Sequence, residues 1–417
     1  VLPAAKVLIV NEDTGISRTV QADPQGRYLV PALSLGRYRI TISMEGFQTE
    51  VRSGVVLTVG REAVVNAELN VGAVSTTVEV TGEAPLVEST TSAVGGLVDE
   101  RTIRELPLNG RSYDQLALLE TGVISYGGGG TSGGFLYGTG TRFSVAGSRS
   151  YNNSYLLDGM DINDSGNGTP GGAAGTNLGV DAIREFKIVT SMFSAETGRA
   201  TGAVISAVTK SGTNEYHGNL FHFLRNSALD ARNFFDVRSA PDVTKTPPFK
   251  RNQFGGTFGG PIKRDHTFYF GAYEGMRERL AVSQFATVPS VAAKNGNLPN
   301  GRTIAVSPLV RPYLALWPDP NGRDFGDGTA EYLTSPSRPT DEDYFMVRVD
   351  HQLTGAHSLF GRYTFDDDSR RALTSVGTSE DISQARRQYA TLQLNSVLNS
   401  RLLNAARVGI NRSASLT

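Results

Sequence analysis

Hydrophobic and polar positions along the chain alternate with a period of two far more often than they repeat with the helical period. In Tyr38–Met44, Tyr38, Ile40, Ile42 and Met44 share one face, and Arg39, Thr41 and Ser43 share the other, which predicts a half-buried antiparallel strand. Lys6–Val10, Gly26–Val30, Arg37–Met44 and Ala63–Leu69 are β-rich runs set between the turn signals Glu12-Asp13-Thr14-Gly15, Asp23-Pro24-Gln25-Gly26 and Ser34-Leu35-Gly36. Residues 1–70 are therefore expected to form a β-sandwich of about seven strands, an architecture that by itself assigns no function. Residues 71–98 are an extended Thr/Ser/Val-rich linker.

Residues 99–212 mix patterns. Asp99 is placed to cap a helix over Glu100–Leu106 that Pro107 ends, and Ser112 to cap another over Tyr113–Glu120. A glycine tract, Gly127–Gly140, and two strand-like runs, Phe186–Thr190 and Gly202–Lys210, complete a compact α/β unit. From residue 213 long alternating runs take over. Phe345, Val347 and Val349 oppose Arg348 and Asp350. Across the turn Leu353-Thr-Gly-Ala356, Leu359, Tyr363 and Phe365 oppose Arg362 and Asp366. Leu392 and Leu394 oppose Gln393 and Asn395, and Val408 and Ile410 oppose Arg407. The polar face stays polar from strand to strand, and connections alternate between short (Gly260–Asp265) and long (280–340, 367–385). That combination predicts about seven strands of a transmembrane β-barrel, with apolar residues toward lipid. A large extracellular β-protein would alternate too and is the competing reading.

Composition narrows the function. Lys+Arg (40) nearly balance Asp+Glu (41), so a general nucleic-acid binder, which needs a basic excess, is disfavoured. Forty-seven glycines favour turns and loops, and the absence of cysteine excludes disulfides and thiolate metal sites. No apolar run is long enough for a membrane helix, which leaves a barrel open. Starting at Val1 and ending just after a strand-like run, the chain reads as a fragment.

Together these segments resemble TonB-dependent outer-membrane receptors of the Oar-like type, which carry an N-terminal carboxypeptidase-regulatory-like domain. The resemblance rests on Ala5–Gly15, Gly26-Arg-Tyr28, Leu35-Gly-Arg-Tyr38 and Glu45-Gly-Phe47 in the first segment. Glu105-Leu-Pro-Leu-Asn-Gly-Arg111, Tyr155-Leu-Leu-Asp-Gly159 and Gly202–Asn214 carry it in the second, and Tyr216-His-Gly218, Asn252–Gly256 and Phe268–Glu274 in the third. It implies a mainly β chain: an N-terminal β-sandwich (1–70), a linker (71–98), a small α/β plug (99–212) and an incomplete antiparallel transmembrane β-barrel (213–417). It further implies a Gram-negative outer-membrane location with sandwich and plug on the periplasmic side. The expected activity is import of a ligand too large for porins, and the expected partners are a TonB-type energy-coupling protein, outer-membrane lipid and an extracellular ligand. No cofactor or catalytic residue is implied. A plugged lumen fits the 22-strand class, so about fifteen more strands would follow.

Candidate sites follow. The family's coupling segment is similar to Thr76-Thr77-Val78-Glu79-Val80-Thr81, an extended run suited to strand addition, although Glu79 departs from the pattern. The same run also reads as a last strand or a linker. Asp158, Gly159 and Asp161 are expected in a polar plug hairpin. The spacing of Asp158, Asp161 and Asp164 is not that of an EF-hand loop. Gly128-x-Gly130-x-x-Gly133 matches the dinucleotide fingerprint but lacks its strand and helix flanks. His217 and His222, five apart in one strand, face opposite ways and share no metal. Besides import, a surface adhesive β-protein and an accessory to a carboxypeptidase are the competing functions. The last is weakened because no HExxH-like zinc ligand pair is present.

Overall fold

The computed structural model describes all residues except 73–76, 82–92, 107, 126–140, 165, 173–176, 193–199, 232–245, 400–401 and 417. The first unit is a sheet of β1 (Lys6–Asn11), β2 (Ser17–Gln21), β3 (Gly36–Ser43), β4 (Thr49–Leu57) and β5 (Thr77–Thr81) in the order β2-β1-β3-β4-β5. Val7, Ile9, Tyr38, Ile40, Ile42 and Val55 form its core, the alternate residues that period two predicts. The sequence differs from the structure at 26–30 and 63–69, which are not strands. Tyr28, Val30, Val65, Ala67 and Leu69 still pack on the core, and the Tyr28 hydroxyl donates to the Val65 carbonyl (2.8 Å). These runs use their alternation for side-chain burial without a ladder, so an irregular layer covers one face of the sheet.

The second unit contains β6 (Val94–Val98), α1 (Glu100–Glu105), β7 (Val123–Ser125), β8 (Phe143–Val145), β9 (Ser154–Leu157), β10 (Met160–Asp161), β11 (Ile183–Ser191) and β12 (Val204–Thr209). Five of these strands form a sheet in the order β10-β9-β12-β11-β6, with β9 and β12 parallel. Phe143, Phe186, Ile188 and Leu116 are fully buried between sheet and helices, each contributing about 1.5–3 kcal/mol. Asp99 caps α1, accepting from the Thr102 N–H at 2.8 Å. Ser112 does not cap the next helix, a 3-10 segment over Tyr113–Leu119. Its hydroxyl instead accepts from the Asn177 N–H (2.8 Å) and donates to the Asp114 carboxylate. The glycine tract and its dinucleotide-like match lie outside the described residues.

The third unit is an antiparallel meander of β13 (His217–Asn226), β14 (Phe249–Lys263), β15 (Thr267–Ala281), β18 (Ser337–Thr354), β19 (His357–Leu373), β20 (Glu380–Asn399) and β21 (Leu402–Leu416). Between β15 and β18 a long excursion holds the hairpin β16 (Gln284–Pro289) and β17 (Thr329–Thr334), with α2 (Val291–Lys294) and α3 (Arg311–Leu314). Its seven strands form an open sheet with β13 and β21 at the edges. Pairs such as Phe345↔Phe365 and Val347↔Tyr363 stack apolar residues on the outer face. Phe345 is 44% exposed, whereas its neighbour Met346 on the inner face is 0% exposed. The short turns 264–266 and 355–356 lie at one end and the long excursions at the other.

Candidate functional site

The inner face of the meander is polar, and the second unit packs against it. Three arginine–carboxylate clusters make that contact, and the first two begin in a local feature of the sequence.

The first is the β9–β10 hairpin. Asp158 (φ 50°) and Gly159 (φ 74°) both adopt left-handed backbone, the requirement of a tight two-residue turn that Asp-Gly meets well. The turn aims the Asp158 carboxylate at the wall. Asp158 accepts from the Thr209 N–H and hydroxyl, both at 2.9 Å. The Arg348 Nη1 donates to it at 3.3 Å, and the Arg362 Nε lies 2.9 Å away as an ion pair without hydrogen-bond alignment. Arg348 is further held by Asp350 (2.9 and 2.8 Å) and lies over the Phe360 ring at 4.5 Å. The Gly159 carbonyl accepts from Arg407 (2.6 Å), and the carbonyls of Asp161 and Asn163 accept from the Asn411 side chain (3.2 and 2.7 Å). Asp161 directs its carboxylate at the Asn163 N–H (2.8 Å), and Asp164 at the N–H groups of Gly166 and Gly168. The three carboxylates therefore point to different partners.

The second cluster centres on Arg111, which follows Gly110 in a left-handed turn (φ 53° and 71°). Its guanidinium meets Asp181 at 2.8 Å and Glu274 of β15 at 3.0 Å, and lies 4.2 Å from the Phe221 ring centroid. Glu274 also accepts from Gln253 (2.8 Å) and from the Gly179 N–H (3.0 Å), which satisfies a buried carboxylate. Gly179 has φ 89°, and a Cβ there would stand 2.4 Å from the Tyr344 ring, so both conformation and space demand glycine.

In the third, Arg387 stands 2.9 Å from Asp366, 3.4 Å from Asp368 and 3.7 Å from Glu342. The three carboxylates have metal-like proximity, but the guanidinium already serves as their cation. Arg387 reaches Asn177 of the second unit as well (3.4 Å). Sequence reasoning marks Arg348, Arg362 and Asp366 as inner-face residues and Asp158 as a hairpin residue. It misses that these meet, and it misses Arg111 and Arg387. Asn109-Gly110-Arg111 is the signal that could have found the first of these, because a left-handed turn before an arginine fixes where that side chain points.

The first unit closes the short-turn end. The Glu185 carboxylate of β11 accepts from the Val59 N–H (2.7 Å), and the Asp13 carbonyl accepts from the Asn214 N–H (2.9 Å). Asn214 in turn exchanges two side-chain bonds with Asp265 in the first hairpin turn of the meander (2.7 and 2.9 Å). A cavity of about 450 Å³ remains among the three units, bordered by Arg18, Tyr38, Arg184, Asp158, Phe268 and Arg348. Burial pushes the Glu185 carboxyl above its ordinary range, the bond from Val59 pulling the other way.

Of the coupling-segment residues, Thr76 lies outside the described residues. Thr77, Val78, Glu79, Val80 and Thr81 are β5, paired in parallel with β4 from Thr49↔Thr77 to Ser53↔Thr81. The four histidines have separate surroundings. His217 and His222 alternate faces, His351 bonds Thr267 (2.7 Å) and His357 bonds Ser396 (2.9 Å).

A meander with an apolar outer face, a charged inner face and its described short turns at one end is the wall of an outer-membrane barrel. The chain belongs to the outer membrane beta barrel domain family, which matches residues 208–417, and it resides in the Gram-negative outer membrane. Residues 1–70 match the carboxypeptidase regulatory-like domain family. Among curated proteins the chain is similar to the TonB-dependent transporter Oar of Myxococcus xanthus, 30% identical over 286 residues, or 65% of this chain and 25% of that protein. The chain thus spans about a quarter of the length of that relative. Among solved structures it is similar to the outer membrane transporter YddB of Escherichia coli (TM-score 0.49, 14% identity, 76% of this chain and 38% of that one). It is also similar to the ferric enterobactin receptor of Pseudomonas aeruginosa (TM-score 0.47, 13% identity, 76% and 41%). These relatives are transporters and receptors, not enzymes.

Proposed function

We propose that the chain is part of an energy-coupled importer, in which residues 99–212 are a plug and Thr76–Thr81 is the segment that a TonB-type protein engages. The imported ligand is one too large for porins, captured at the long-loop end. One observation carries this reading. The inner-face charges Arg348, Arg362 and Arg387 find their partners in, or share them with, the second unit. Leaving such a charge buried and unpaired costs several kcal/mol, so the wall is built to be filled. A surface adhesin has no use for that arrangement.

The test is the full-length receptor in planar lipid bilayers. The intact protein should hold the membrane closed, and deletion of residues 99–212 should open a steady conductance. A deletion variant as silent as the intact protein, although inserted and folded, contradicts the plug. Deleting Thr76–Thr81 should abolish energised uptake while leaving ligand binding to whole cells intact.

A further inference from the structure

We infer that Arg338 and Arg370, neighbours on the inner face at the long-loop end, form an oxyanion site, so that the imported ligand carries a carboxylate or a phosphate. This names the substrate class of the proposed importer and rests on that reading. In β18 and β19 the inner residues are the even-numbered ones, Glu342 and Asp368 among them, and Arg338 and Arg370 continue that series toward the long excursions. Thr340 pairs with Arg370, which makes Arg338 and Arg370 diagonal neighbours, about 7–8 Å apart at the backbone. Their guanidiniums are close enough to repel one another. The other arginines of the inner face have partners. Arg225 meets Asp230 at 3.5 Å and Arg251 meets Glu278 at 2.6 Å, while Arg348, Arg362, Arg387 and Arg407 bond the second unit or neighbouring strands. Arg338 and Arg370 make no hydrogen bond or ion pair with any described residue, and the Arg338 Nε is buried without an acceptor.

The carboxylates within reach are committed elsewhere. Glu342, Asp366 and Asp368 gather on Arg387, and Glu278 holds Arg251. Two adjacent like charges, one with a buried donor left unsatisfied, are a costly arrangement unless something fills the gap. A guanidinium is a planar fork that matches carboxylate and phosphate oxygens in pairs. An oxyanion lodged between these two removes their repulsion and supplies the missing acceptor at once. The depth also fits an entering ligand. Asp368, two residues before Arg370 on the same face, lies against Gly172, where an added Cβ would stand 2.6 Å from its carboxylate, and Arg387 reaches Asn177 at 3.4 Å. The second unit thus reaches the row of Asp368, and the unpaired guanidiniums stand one and two rows beyond it on the long-loop side. The excess of carboxylates faces the second unit, and a ligand arriving from the long-loop end meets the guanidiniums first.

The experiment is calorimetric titration of the full-length receptor in detergent, at low ionic strength, with citrate and, separately, with inorganic pyrophosphate. At least one should bind with a Kd of about 1 mM or tighter, and which of them binds more tightly separates a carboxylate ligand from a phosphate one. Arg338→Gln combined with Arg370→Gln should weaken that binding by about tenfold or more. Arg279→Gln, whose native side chain is held by Asp341 on the outer face of the same wall (2.9 Å), should keep it within about twofold. Because neither inner guanidinium makes an internal bond, the double variant should unfold in denaturant no more easily than the native receptor. Binding of neither anion at about 10 mM, a double variant that binds as well as the native protein, an equal loss in Arg279→Gln, or a double variant that unfolds more easily overturns the site. Equilibrium binding needs no energised uptake. A receptor that binds the anion here and yet stays silent after deletion of residues 99–212 keeps the site and loses the import reading. One that opens on that deletion and binds neither anion keeps the import reading and loses the site.

Discussion

Asp158 shows how a single carboxylate joins distant parts of this chain. Its turn was legible, because Asp-Gly between two short apolar runs is a hairpin signal. Its partners were not, since Arg348 and Arg362 lie about 200 residues away and only the folded wall brings them to it. Removing one member of a buried ion pair costs about 3–5 kcal/mol. Asp158→Ala should therefore lower the free energy that holds the second unit against the wall, read from denaturant titration of the full-length protein, by an amount of that order, and a loss below about 1 kcal/mol would mean that Arg348 and Arg362 find other partners. Glu185 makes a second prediction. Its carboxyl is pushed up by burial, so the docked state holds its proton more tightly than the undocked state does. The attachment of the first sheet to β11 should then be strongest below the ordinary carboxylate range and weaken as pH rises through the raised value. Glu185→Gln keeps an acceptor for the Val59 N–H without a charge. Limited proteolysis between the first sheet and the second unit should find it at least as well protected as the native protein at neutral pH, and insensitive to pH. A native attachment that tightens as pH rises contradicts this.

At the level of elements, period-two patterning carried the reading of the wall. The alternating runs around Phe345–Asp350 and Leu359–Asp366 are β18 and β19, those around Leu392–Asn395 and Arg407–Ile410 are β20 and β21, and the inner and outer residues fall as the alternation predicts. The pattern works there because a one-residue slip would move every charge to the lipid side, where Arg or Lys near mid-bilayer costs about 2–4 kcal/mol. It fails at 26–30 and 63–69, where the same alternation buries side chains without a ladder, and it says nothing of β5, whose partner is chosen by an available edge. Orientation is tested by labelling Leu392→Cys and Gln393→Cys in membranes. Leu392 is on the outer face, while Gln393 borders the water-accessible cavity. A water-soluble thiol reagent should modify the second well before the first, and the reverse order would turn the wall inside out.

For the molecule as a whole, the first sheet has its own core and borrows β5 from beyond its last covering run. A fragment of residues 1–81 should accordingly melt several degrees above a fragment of residues 1–72, since about 1 kcal/mol shifts the midpoint of so small a domain by about 4–8 °C. Equal midpoints would mean that β5 adds nothing to the sheet. The order of the three units along the chain was readable from changes of pattern; the way they lock was not, because it depends on single groups such as Asn214. That residue bonds Asp265 in the first turn of the wall and Asp13 in the first sheet. The first sheet is synthesised before the wall, yet the surface that receives Asp13 exists only once the first wall hairpin is in register. Docking thus runs against chain order: the earlier-made sheet waits for the later-made wall, and a misregistered wall would leave that sheet undocked and open to proteolysis.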